Sequence, residues 1–355
     1  MARVMVAMSG GVDSSVAAAL LVEQGHDVLG VHMKLHAGHG GSGTCCGLDD
    51  ALDARRVADR LQIPFQVLDL QEAFEAAVTT PFLDAYVAGR TPNPCVSCNG
   101  VLKFRVLLAR ALALGCDALA TGHYARTGPE PSLRMAADAA KDQTYFLFPM
   151  TLRAIGRTWF PLGGMRKPEV RAHAERFGLV TASKPESQDV CFLPDHDHGR
   201  LVADRHPELN GAGEIVDENG VVLGRHDGYF RYTVGQRRGL GVALGFPAYV
   251  LRVEPDTRRV VVGSDARLHH TGLEASGWNA LVPPDAPALL DGPLHARIRH
   301  RGALIPCTLR TGDAGAATLH FLGPARAVSP GQAAVVYAGD RVVGGGWIER
   351  ALEAA

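Results

Sequence analysis

The chain has 355 residues, 46% hydrophobic and 21% charged, a globular composition that excludes fibrous or largely disordered classes. At about 150 residues per domain, this length predicts two or three domains. The 36 basic and 37 acidic residues give a net charge of -1, which excludes a strongly basic nucleic-acid coat but not a local basic face. No apolar run approaches the roughly 18 residues of a membrane span, so we expect a cytoplasmic protein.

Strand and helix patterns alternate over the first 125 residues. Short apolar runs predict four strands, at residues 4–8, 28–33, 65–70 and 118–121. Amphipathic stretches predict helices at residues 12–23, 49–61, 101–114 and, further along, 167–177. Such alternation is typical of an α/β fold with an open parallel sheet, in which ligands bind at the carboxyl ends of the strands.

The pattern becomes β-rich after about residue 195. The stretch Asp217-Glu218-Asn219-Gly220 predicts a hairpin turn between short strands. Six more strands are predicted, at residues 249–253, 259–262, 294–299, 316–321, 333–337 and 342–348. We therefore predict three domains: an α/β domain at 1–195, a small central β-rich domain at 196–268 and a C-terminal β-barrel at 269–355.

A turn rich in glycine and hydroxyl groups joins the first predicted strand to the first helix. Gly10 and Gly11 let the backbone approach a ligand, and the helix start directs free N–H groups to the same place. Asp13 would repel a bare phosphate, so Mg²⁺ is its natural partner. Met33 and Gly122 end two other strands and are expected at the same rim. The alternative is a turn that merely caps the helix. The predicted nucleotide-binding residues of the turn are Ala7, Met8, Ser9, Gly10, Gly11, Val12, Asp13 and Ser14.

Seven cysteines in a reducing compartment favour metal, cluster or redox chemistry over structural disulfides. Cys95 and Cys98 form a C-x-x-C within a proline-rich stretch, residues 91–99, which predicts a rigid loop before a helix. A helix start lowers the pKa of a nearby thiol and makes it a better nucleophile or ligand. Together with Cys191, these thiols suit either a redox pair with a helper or three ligands of an iron–sulfur cluster with one open position.

The other four cysteines have weaker cases. Cys45 and Cys46 follow a loop rich in glycine and histidine, where a metal site is conceivable and a mobile loop is the favoured interpretation. Cys116 and Cys307 lie in apolar segments and are expected in the core.

Several motifs carry a resemblance to a known family. Ser9-Gly10-Gly11-Val12-Asp13-Ser14 resembles the PP-loop of the ATP pyrophosphatase superfamily, whose members bind ATP and adenylate a substrate oxygen. Further motifs follow in order: Asn93-Pro94 with Cys98-Asn99, Thr121-Gly122-His123-Tyr124, Lys141-Asp142-Gln143-Thr144-Tyr145-Phe146-Leu147, Cys191-Phe192, Gly235-Gln236-Arg237-Arg238-Gly239 and Pro330-Gly331-Gln332. Together they span nearly the whole chain and are similar to the bacterial tRNA-specific 2-thiouridylase family.

This resemblance implies ATP-dependent 2-thiolation of the wobble uridine of tRNA, the activity of a tRNA-uridine 2-sulfurtransferase. Uracil O2 is adenylated, and sulfur then reaches C2 with release of AMP and pyrophosphate. The implied cofactors are ATP and Mg²⁺. The implied partners are tRNA and a sulfur donor, which is a cysteine desulfurase or a sulfur carrier protein. We expect a monomer, with 1–195 as the ATP-binding catalytic domain and 196–268 as the tRNA-binding domain.

Two sulfur routes remain open under this resemblance. In the first, Cys191 carries a persulfide, Cys98 is the catalytic thiol, and the pair ends as a disulfide. In the second, Cys95, Cys98 and Cys191 hold a [4Fe-4S] cluster. Many family members carry Asp at the position of Cys95, so a third soft ligand here favours the cluster. Both routes require Cys98 and Cys191, and they differ on Cys95.

Arginines interleaved with aromatic residues suit phosphate contacts and base stacking, although a solvated hairpin is the alternative. The first such group comprises Arg225, Arg231, Arg237 and Arg238 with Tyr229, Phe230 and Tyr232. The second comprises Arg297, Arg299 and Arg301, predicted on one face of a strand, with His300. The resemblance adds further residues expected to contact tRNA: Asn93, His123, Lys141, Asp142, Gln143 and Gln332.

Two other functions would each explain part of these motifs. Another PP-loop ATP pyrophosphatase, acting on a small-molecule acceptor, explains the loop but not the C-x-x-C, Cys191 or the arginine-rich region. A non-catalytic RNA-binding scaffold is disfavoured by the intact loop with Asp13.

Overall fold

A five-stranded parallel sheet organises the first half of the chain. The structure, a computed structural model, describes residues 1–36, 48–186, 190–193, 197–242, 244–282 and 292–353. From one edge to the other, the strands are β3 (Phe65–Asp69), β2 (Asp27–Lys34), β1 (Arg3–Ala7), β4 (Ala118–Thr121) and β7 (Thr158–Trp159). Because all five are parallel, their carboxyl ends meet at one edge.

Alternate residues of the central strands supply two separate cores. Met5 and Val31 point into one apolar cluster, whereas Val4 and Val6 point into the other, and all four are fully buried or nearly so. This is the two-residue period of a strand that is covered on both faces. The uninterrupted apolar character of β1 follows from that double burial.

Helices cover both faces of the sheet. On one face, α1 (Val12–Glu23) packs against α2 (Leu48–Leu61) and α8 (Lys167–Arg176). The other face carries two long helical stretches. The first joins α3 (Gln71–Phe74), a π-helical turn (Glu75–Thr79) and α4 (Thr80–Val87). The second joins α5 (Pro94–Ser97), a π-helical segment (Cys98–Leu107) and α6 (Leu108–Ala113).

The prediction of a loop over residues 91–99 was wrong in its second half. The helix begins at Pro94, so Cys95 and Cys98 both lie in its opening turns. Proline is compatible with the first helical position, since the N–H that it lacks would have no partner there. Pro94, which the pattern predicts to break a helix, therefore starts one.

A four-stranded sheet forms the central part of the chain. Its order is β10 (Tyr249–Glu254), β11 (Arg259–Gly263), β8 (Gly213–Val216) and β9 (Val222–His226). The predicted hairpin between β8 and β9 is confirmed. The Asp217 carboxylate accepts hydrogen bonds from the N–H groups of Asn219 and Val221, at 2.9 and 2.8 Å, and so closes the turn. The intervening helix α9 spans His198–Arg205.

Six antiparallel strands close into a barrel near the C-terminus. They follow the order β12 (His269–Ala280), β15 (Ala317–Arg326), β14 (Ile305–Thr311), β13 (Leu294–Arg297), β16 (Ala333–Ala338) and β17 (Arg341–Leu352), and β17 pairs back with β12. The short hairpin of β5 (Arg126–Thr127) and β6 (Leu133–Arg134) extends this sheet from the first half of the chain. The remaining helix, α7, spans Leu152–Ile155.

The barrel shares a core with the parallel-sheet part. Val335, Tyr337 and Val342 of the barrel belong to the same apolar cluster as Met5 and Leu119. The barrel therefore helps to build the body that carries the loop and the thiols. The predicted fold class is confirmed: an α/β parallel sheet, a central β-rich part and a C-terminal β-barrel. Within the described ranges, no helix combines the length and apolarity needed to cross a membrane.

Candidate active site

The glycine-rich turn lies between β1 and α1, at the carboxyl edge of the parallel sheet. Gly10 has a φ of 75°, and a side chain there would collide with the backbone of Asp50. A side chain on Gly122 would lie 2.6 Å from the backbone nitrogen of Ser14. Glycine is therefore required at both places, where neighbouring backbone segments press against the turn.

The start of α1 is open to an anion. Gly11 occupies the N-cap position and has no side chain with which to cap the helix. The hydroxyls of Ser14 and Ser15 instead donate to the Gly11 carbonyl, at 3.2 and 2.8 Å, and the Ser9 N–H donates to Ser14 Oγ at 3.0 Å. These bonds fix the turn while no side chain caps the helix, which contradicts the alternative of a merely capped helix and suits a phosphate site.

A cavity of about 480 Å³ connects this turn to the three predicted thiols, and we call it the central cavity. The loop side of its lining includes Ala7, Met8, Ser9, Gly11, Val12, Asp13, Ser14, Met33 and Gly122. The same lining also includes Cys95, Cys98, Asn99, Lys141, Gln143, Glu186, Cys191, His300 and Arg301. The structure thus brings most of the predicted site residues together, although they come from positions across almost the whole chain.

Cys95 is exposed, and Cys98 and Cys191 are half-buried. Cys191 is anchored by the next residue, Phe192, whose ring packs edge-on against the rings of Phe74 and Phe82. The ring centroids are 5.4 and 5.2 Å apart. All three thiols therefore have access to one cavity while their backbones are held by packed elements.

Two other cysteines are buried, as predicted. Cys116 and Cys307 are each 4% exposed. Burial raises the pKa of Cys116, and it raises the pKa of Cys307 to about 12. Both thiols therefore stay protonated at neutral pH and make poor nucleophiles. The predicted loop with Cys45 and Cys46 lies outside the described residues, as do residues 187–189 just before Cys191.

The arrangement of the thiols does not fit a bound cluster. In the part of the chain that the structure describes, no three His, Cys, Asp or Glu side chains gather closely enough to hold a metal ion. Thiolates have the right chemistry to bind iron, but that chemistry alone does not make a cluster site.

Asp13 faces a cation from the protein itself. Lys167 Nζ donates to both carboxylate oxygens, at 2.8 and 2.9 Å, and the Tyr124 hydroxyl donates to Oδ1 at 2.9 Å. Burial and the Asp13 charge raise the pKa of Tyr124, so its hydroxyl remains a donor. The Asp13 carboxylate is thus paired with the Lys167 ammonium in the structure, and its pairing with Mg²⁺ stays a prediction.

His123 sits beside the nucleotide loop as a neutral ring. Its Nε2 lies 3.4 Å from Lys103 Nζ, and its Nδ1 lies 2.8 Å from Thr121 Oγ1. Burial, reinforced by the Lys103 charge, holds the pKa of His123 well below its usual range. Because Lys103 can only donate, Nε2 must accept and Nδ1 carries the proton.

The segment after His123 divides its roles between cavity and core. Lys141 and Gln143 line the central cavity, but the intervening Asp142 is buried. The Asp142 carboxylate accepts from Arg297 at 2.9 Å and from the Thr144 hydroxyl at 2.8 Å. Asp142 was expected to contact tRNA, and instead it holds this segment to the barrel.

Asn93 and Gln332 lie at the start of the thiol-bearing helix. Asn93 lines a second cavity of about 270 Å³. The Gln332 amide donates to the carbonyls of Thr91 and Pro92, at 3.0 and 3.4 Å. Gln332 therefore fixes the entry to the helix that carries Cys95 and Cys98.

The first arginine-rich region only partly matches its prediction. Tyr229 and Phe230 are 3% and 1% exposed, and the Tyr229 hydroxyl donates to the Val87 carbonyl at 2.7 Å. These two rings belong to the core, so the prediction that they stack on bases was wrong. Arg237 and Arg238 are exposed, as a phosphate contact requires.

The second arginine-rich region is a turn rather than a strand face. Strand β13 ends at Arg297, and the Gly302 N–H donates to the Arg299 carbonyl at 3.0 Å. Arg301 has a φ of 58°. The prediction that Arg297, Arg299 and Arg301 share one face of a strand was therefore wrong, because the strand ends at Arg297. The Arg297 side chain contacts Asp142, whereas His300 and Arg301 line the central cavity.

Sequence reasoning missed three charged residues and one amide. Lys167, Lys184 and Glu186 sit at or beside the cavity, and their partners are remote in sequence. Asn99 follows Cys98, is 4% exposed and lines the cavity, and its Oδ1 has no hydrogen-bond partner among the described residues. The sequence Lys184-Pro185-Glu186 carried a signal for two of them, because a proline there restricts the backbone between two charged residues shortly before Cys191.

The chain matches family models and known proteins along almost its whole length. Family models match residues 2–195 (tRNA methyl transferase HUP domain), 201–264 (tRNA methyl transferase PRC-barrel domain) and 271–348 (Aminomethyltransferase beta-barrel domain). The protein named tRNA-specific 2-thiouridylase MnmA from Geobacter metallireducens is 48% identical over 99% of this chain and 97% of its own length. The chain belongs to the tRNA-specific 2-thiouridylase family. The relative of the same name from Rhodospirillum rubrum is 50% identical over 98% of this chain and 96% of its own length.

The family assignment confirms the predicted resemblance along the whole chain. The loop and all three cavity thiols fall within the part matched by the HUP-domain model. The barrel that completes the core and supplies Arg297 falls within the third matched part.

Proposed function

We propose that this chain is a tRNA-uridine 2-sulfurtransferase that thiolates the wobble uridine of tRNA at C2 with ATP. One observation carries the proposal: an uncapped helix start of the PP-loop type and three thiols line the same cavity. Adenylation and sulfur transfer act on the same carbon of one base, so they require a shared cavity. A small-molecule acceptor would leave the thiols without a role, and so would the methyl transfer named in two family-model descriptions.

The first proposed step activates uracil. Oxygen O2 attacks the α-phosphorus of ATP, a new P–O bond forms, and the bond to pyrophosphate breaks. The N3 proton leaves as the carbonyl becomes an adenylate. The N–H groups at the start of α1 stabilise the charge on the phosphates. Mg²⁺ arrives with the ATP phosphates in this proposal, because Asp13 is held by Lys167.

The second proposed step replaces oxygen by sulfur. The terminal sulfur of a Cys191 persulfide attacks C2, and AMP leaves with the former O2. The Cys98 thiolate then attacks Sγ of Cys191, which releases 2-thiouridine and leaves a Cys98–Cys191 disulfide. Two thiols are oxidised as the sulfane sulfur is reduced, and a thiol reductant restores both. No step is assigned to a [4Fe-4S] cluster, because the described residues include no group of three or more His, Cys, Asp or Glu side chains that could hold a metal ion.

Recognition of tRNA is assigned to the cavity rim and to exposed arginines. Arg237 and Arg238 would contact phosphates, Lys141, Gln143, His300 and Arg301 would contact the extruded nucleotide, and Asn93 would contact a neighbouring one. A cysteine desulfurase or a sulfur carrier protein would supply the persulfide. We further propose a cytoplasmic monomer whose domains are 1–195, 196–268 and 269–355.

Thiolation of a tRNA transcript tests this function. Anaerobically purified protein, charged by a cysteine desulfurase with cysteine, is incubated with tRNA, ATP and Mg²⁺, and nucleosides are analysed by mass spectrometry. We expect 2-thiouridine and AMP with the unaltered protein. We expect no 2-thiouridine with C98S or C191S, and an undiminished yield with the control C116A. ATP cleavage without 2-thiouridine in the unaltered protein would contradict the proposal.

The same preparation separates the two sulfur routes. The persulfide route predicts that C95A keeps most of its turnover and that purified protein contains no stoichiometric iron. Iron and sulfide at about four per chain, lost together with activity in C95A, would replace this route by the cluster.

A further inference from the structure

One amide side chain in the lining of the central cavity is buried without a hydrogen-bond partner for its oxygen. Asn99 is 4% exposed, and it lines the cavity directly after Cys98. Its Oδ1 has no partner among the described residues. Because a buried acceptor without a partner destabilises a fold, such a group is expected to be completed by something that binds there.

The other buried polar side chains of the described lining are Ser14, His32 and Thr121. Each of them already has a partner within the protein. Ser14 Oγ lies 3.2 Å from a carbonyl oxygen of its own turn, and His32 Nδ1 lies 2.9 Å from the carbonyl oxygen of the residue after β1. Thr121 Oγ1 lies 2.8 Å from a ring nitrogen of His123. Among these four side chains, Asn99 is therefore the one whose acceptor is left for a ligand.

The helix fixes the Asn99 amide next to a thiol of the proposed reaction. Asn99 and Cys98 are consecutive residues at the start of the π-helical segment. Leu102 and Leu107 of the same segment are fully buried in the apolar core, so this segment is held against rotation about its axis. A group that hydrogen-bonds to Asn99 is therefore held close to the residue that carries the Cys98 thiol.

The imide edge of uracil complements an amide side chain. The N3–H group of the base can donate to the amide oxygen, and the amide nitrogen can donate to a carbonyl oxygen of the base. This carbonyl oxygen must be O4, because O2 has to stay free to attack the α-phosphorus of ATP. Carbon C2 is bonded to N3, so a base held through N3–H and O4 has its reacting carbon near the thiol-bearing helix.

We propose that Asn99 is a specificity-determining residue that binds the reacting uracil through N3–H and O4. The contact forms with the bound uridine, before O2 is adenylated, and it determines which of the two carbonyl oxygens stays free for the nucleotide. This inference rests on the proposed function for the identity of the base. The contact itself can be measured as binding, without ATP and without sulfur.

Two tRNAs that differ only in the wobble base test the contact. One carries uridine, and the other carries the riboside of 2-pyrimidinone, which has neither N3–H nor O4. Dissociation constants of both tRNAs for the full-length, uncharged protein are measured by filter binding without ATP. We expect 2-pyrimidinone to weaken binding by about tenfold or more in the unaltered protein, but by less than about twofold in N99A. A residue with a purely structural role would not remove this dependence on the base.

A second variant and a matched control complete the test. Asn99→Leu keeps the side-chain volume but removes the amide, and it should behave as N99A does if N99A is unstable. Asn210 is exposed, and its amide donates to the Ala203 carbonyl at 3.1 Å. N210A should therefore keep the full dependence on the wobble base. Equal weakening by 2-pyrimidinone in the unaltered protein and in both Asn99 variants would overturn the proposal, as would unaltered protein that binds the two tRNAs equally well.

The outcome is distinguishable from failure of the proposed function. If the unaltered protein forms 2-thiouridine but the effect of 2-pyrimidinone does not depend on Asn99, the proposed contact is wrong and thiolation stands. If the effect depends on Asn99 but no 2-thiouridine forms from charged protein, the contact stands and the proposed reaction is wrong.

Discussion

Lys167 changes what Asp13 can do in the nucleotide loop. An isolated carboxylate would repel the phosphates, but the ammonium 2.8 Å away compensates its charge. The Tyr124 hydroxyl also donates to the Asp13 carboxylate, and the raised pKa of Tyr124 keeps this hydroxyl a donor. At the residue scale, the loop therefore presents N–H groups to an anion while its own negative charge is paired with a cation.

The neutral His123 ring predicts a loss of stability in acid. The unfolded chain takes up a proton near pH 6.5, whereas burial and Lys103 prevent uptake in the folded chain. The free energy of unfolding should therefore fall as the pH drops below about 6.5, by up to about 1.4 kcal/mol per pH unit for this group. Urea unfolding of H123Q at pH 7.5 and 5.5 should show a smaller loss than the unaltered protein.

A control separates His123 from the other histidines. His320 is exposed on β15, and H320Q should keep the full pH dependence. If H123Q has the same pH dependence as the unaltered protein, the His123 ring takes up its proton in the folded chain as it does in the unfolded chain, which would contradict a neutral ring.

The helix from Pro94 to Ala113 places the thiols at the element scale. Its π-helical segment runs from Cys98 to Leu107, and the wider turn carries Cys98 and Asn99 to the cavity wall. Gln332 of the barrel fixes the backbone just before this helix. The barrel thus positions the thiol-bearing helix without contributing a thiol to the cavity.

The ion pair between Asp142 and Arg297 joins the segment beside the cavity to barrel strand β13. The two side chains are 2% and 12% exposed, and their atoms are 2.9 Å apart. R297M should destabilise the protein by about 3–5 kcal/mol in urea unfolding, because it leaves a buried carboxylate without its cation. The double variant D142N/R297M should recover part of this loss, and equal losses in the single and double variants would contradict the buried-pair account.

The success of sequence reasoning differs from element to element. Helix α1 and strand β4 match their predicted bounds, because apolar periodicity and a glycine stop fix both locally. The start of the thiol helix was missed, because Pro94 reads as a breaker unless its place in the first turn is known. Lys167 was missed because its carboxylate partner lies 154 positions away, and no local pattern reports such a contact.

The net charge of -1 gives the whole molecule no overall attraction for RNA. Binding of tRNA therefore depends on where basic side chains lie on the molecule. Exposed Arg237 and Arg238 lie in the central part, while His300 and Arg301 reach the cavity from the barrel. Three parts of the chain would therefore contact one RNA, with its reacting base in the cavity between the loop and the thiols.

Salt dependence tests this distribution of contacts. Each phosphate contact contributes about 0.7–0.9 to the slope of log affinity against log salt concentration. R237A/R238A should weaken tRNA binding and lower the magnitude of this slope by about 1.4–1.8 in filter-binding titrations. R55A/R56A removes two exposed arginines that already pair with Asp59 and Asp53, and it should keep the slope. Equal slopes for all three proteins would remove Arg237 and Arg238 from the interface.

The fate of the uridine oxygen tests the central claim, that the nucleotide loop activates the base which the thiols then attack. A tRNA transcript labelled with ¹⁸O at uridine O2 is thiolated by the charged protein, and AMP and pyrophosphate are analysed by mass spectrometry. We predict one ¹⁸O atom in AMP for each 2-thiouridine formed, and none in pyrophosphate. Formation of 2-thiouridine with unlabelled AMP would contradict adenylation of O2 in this cavity.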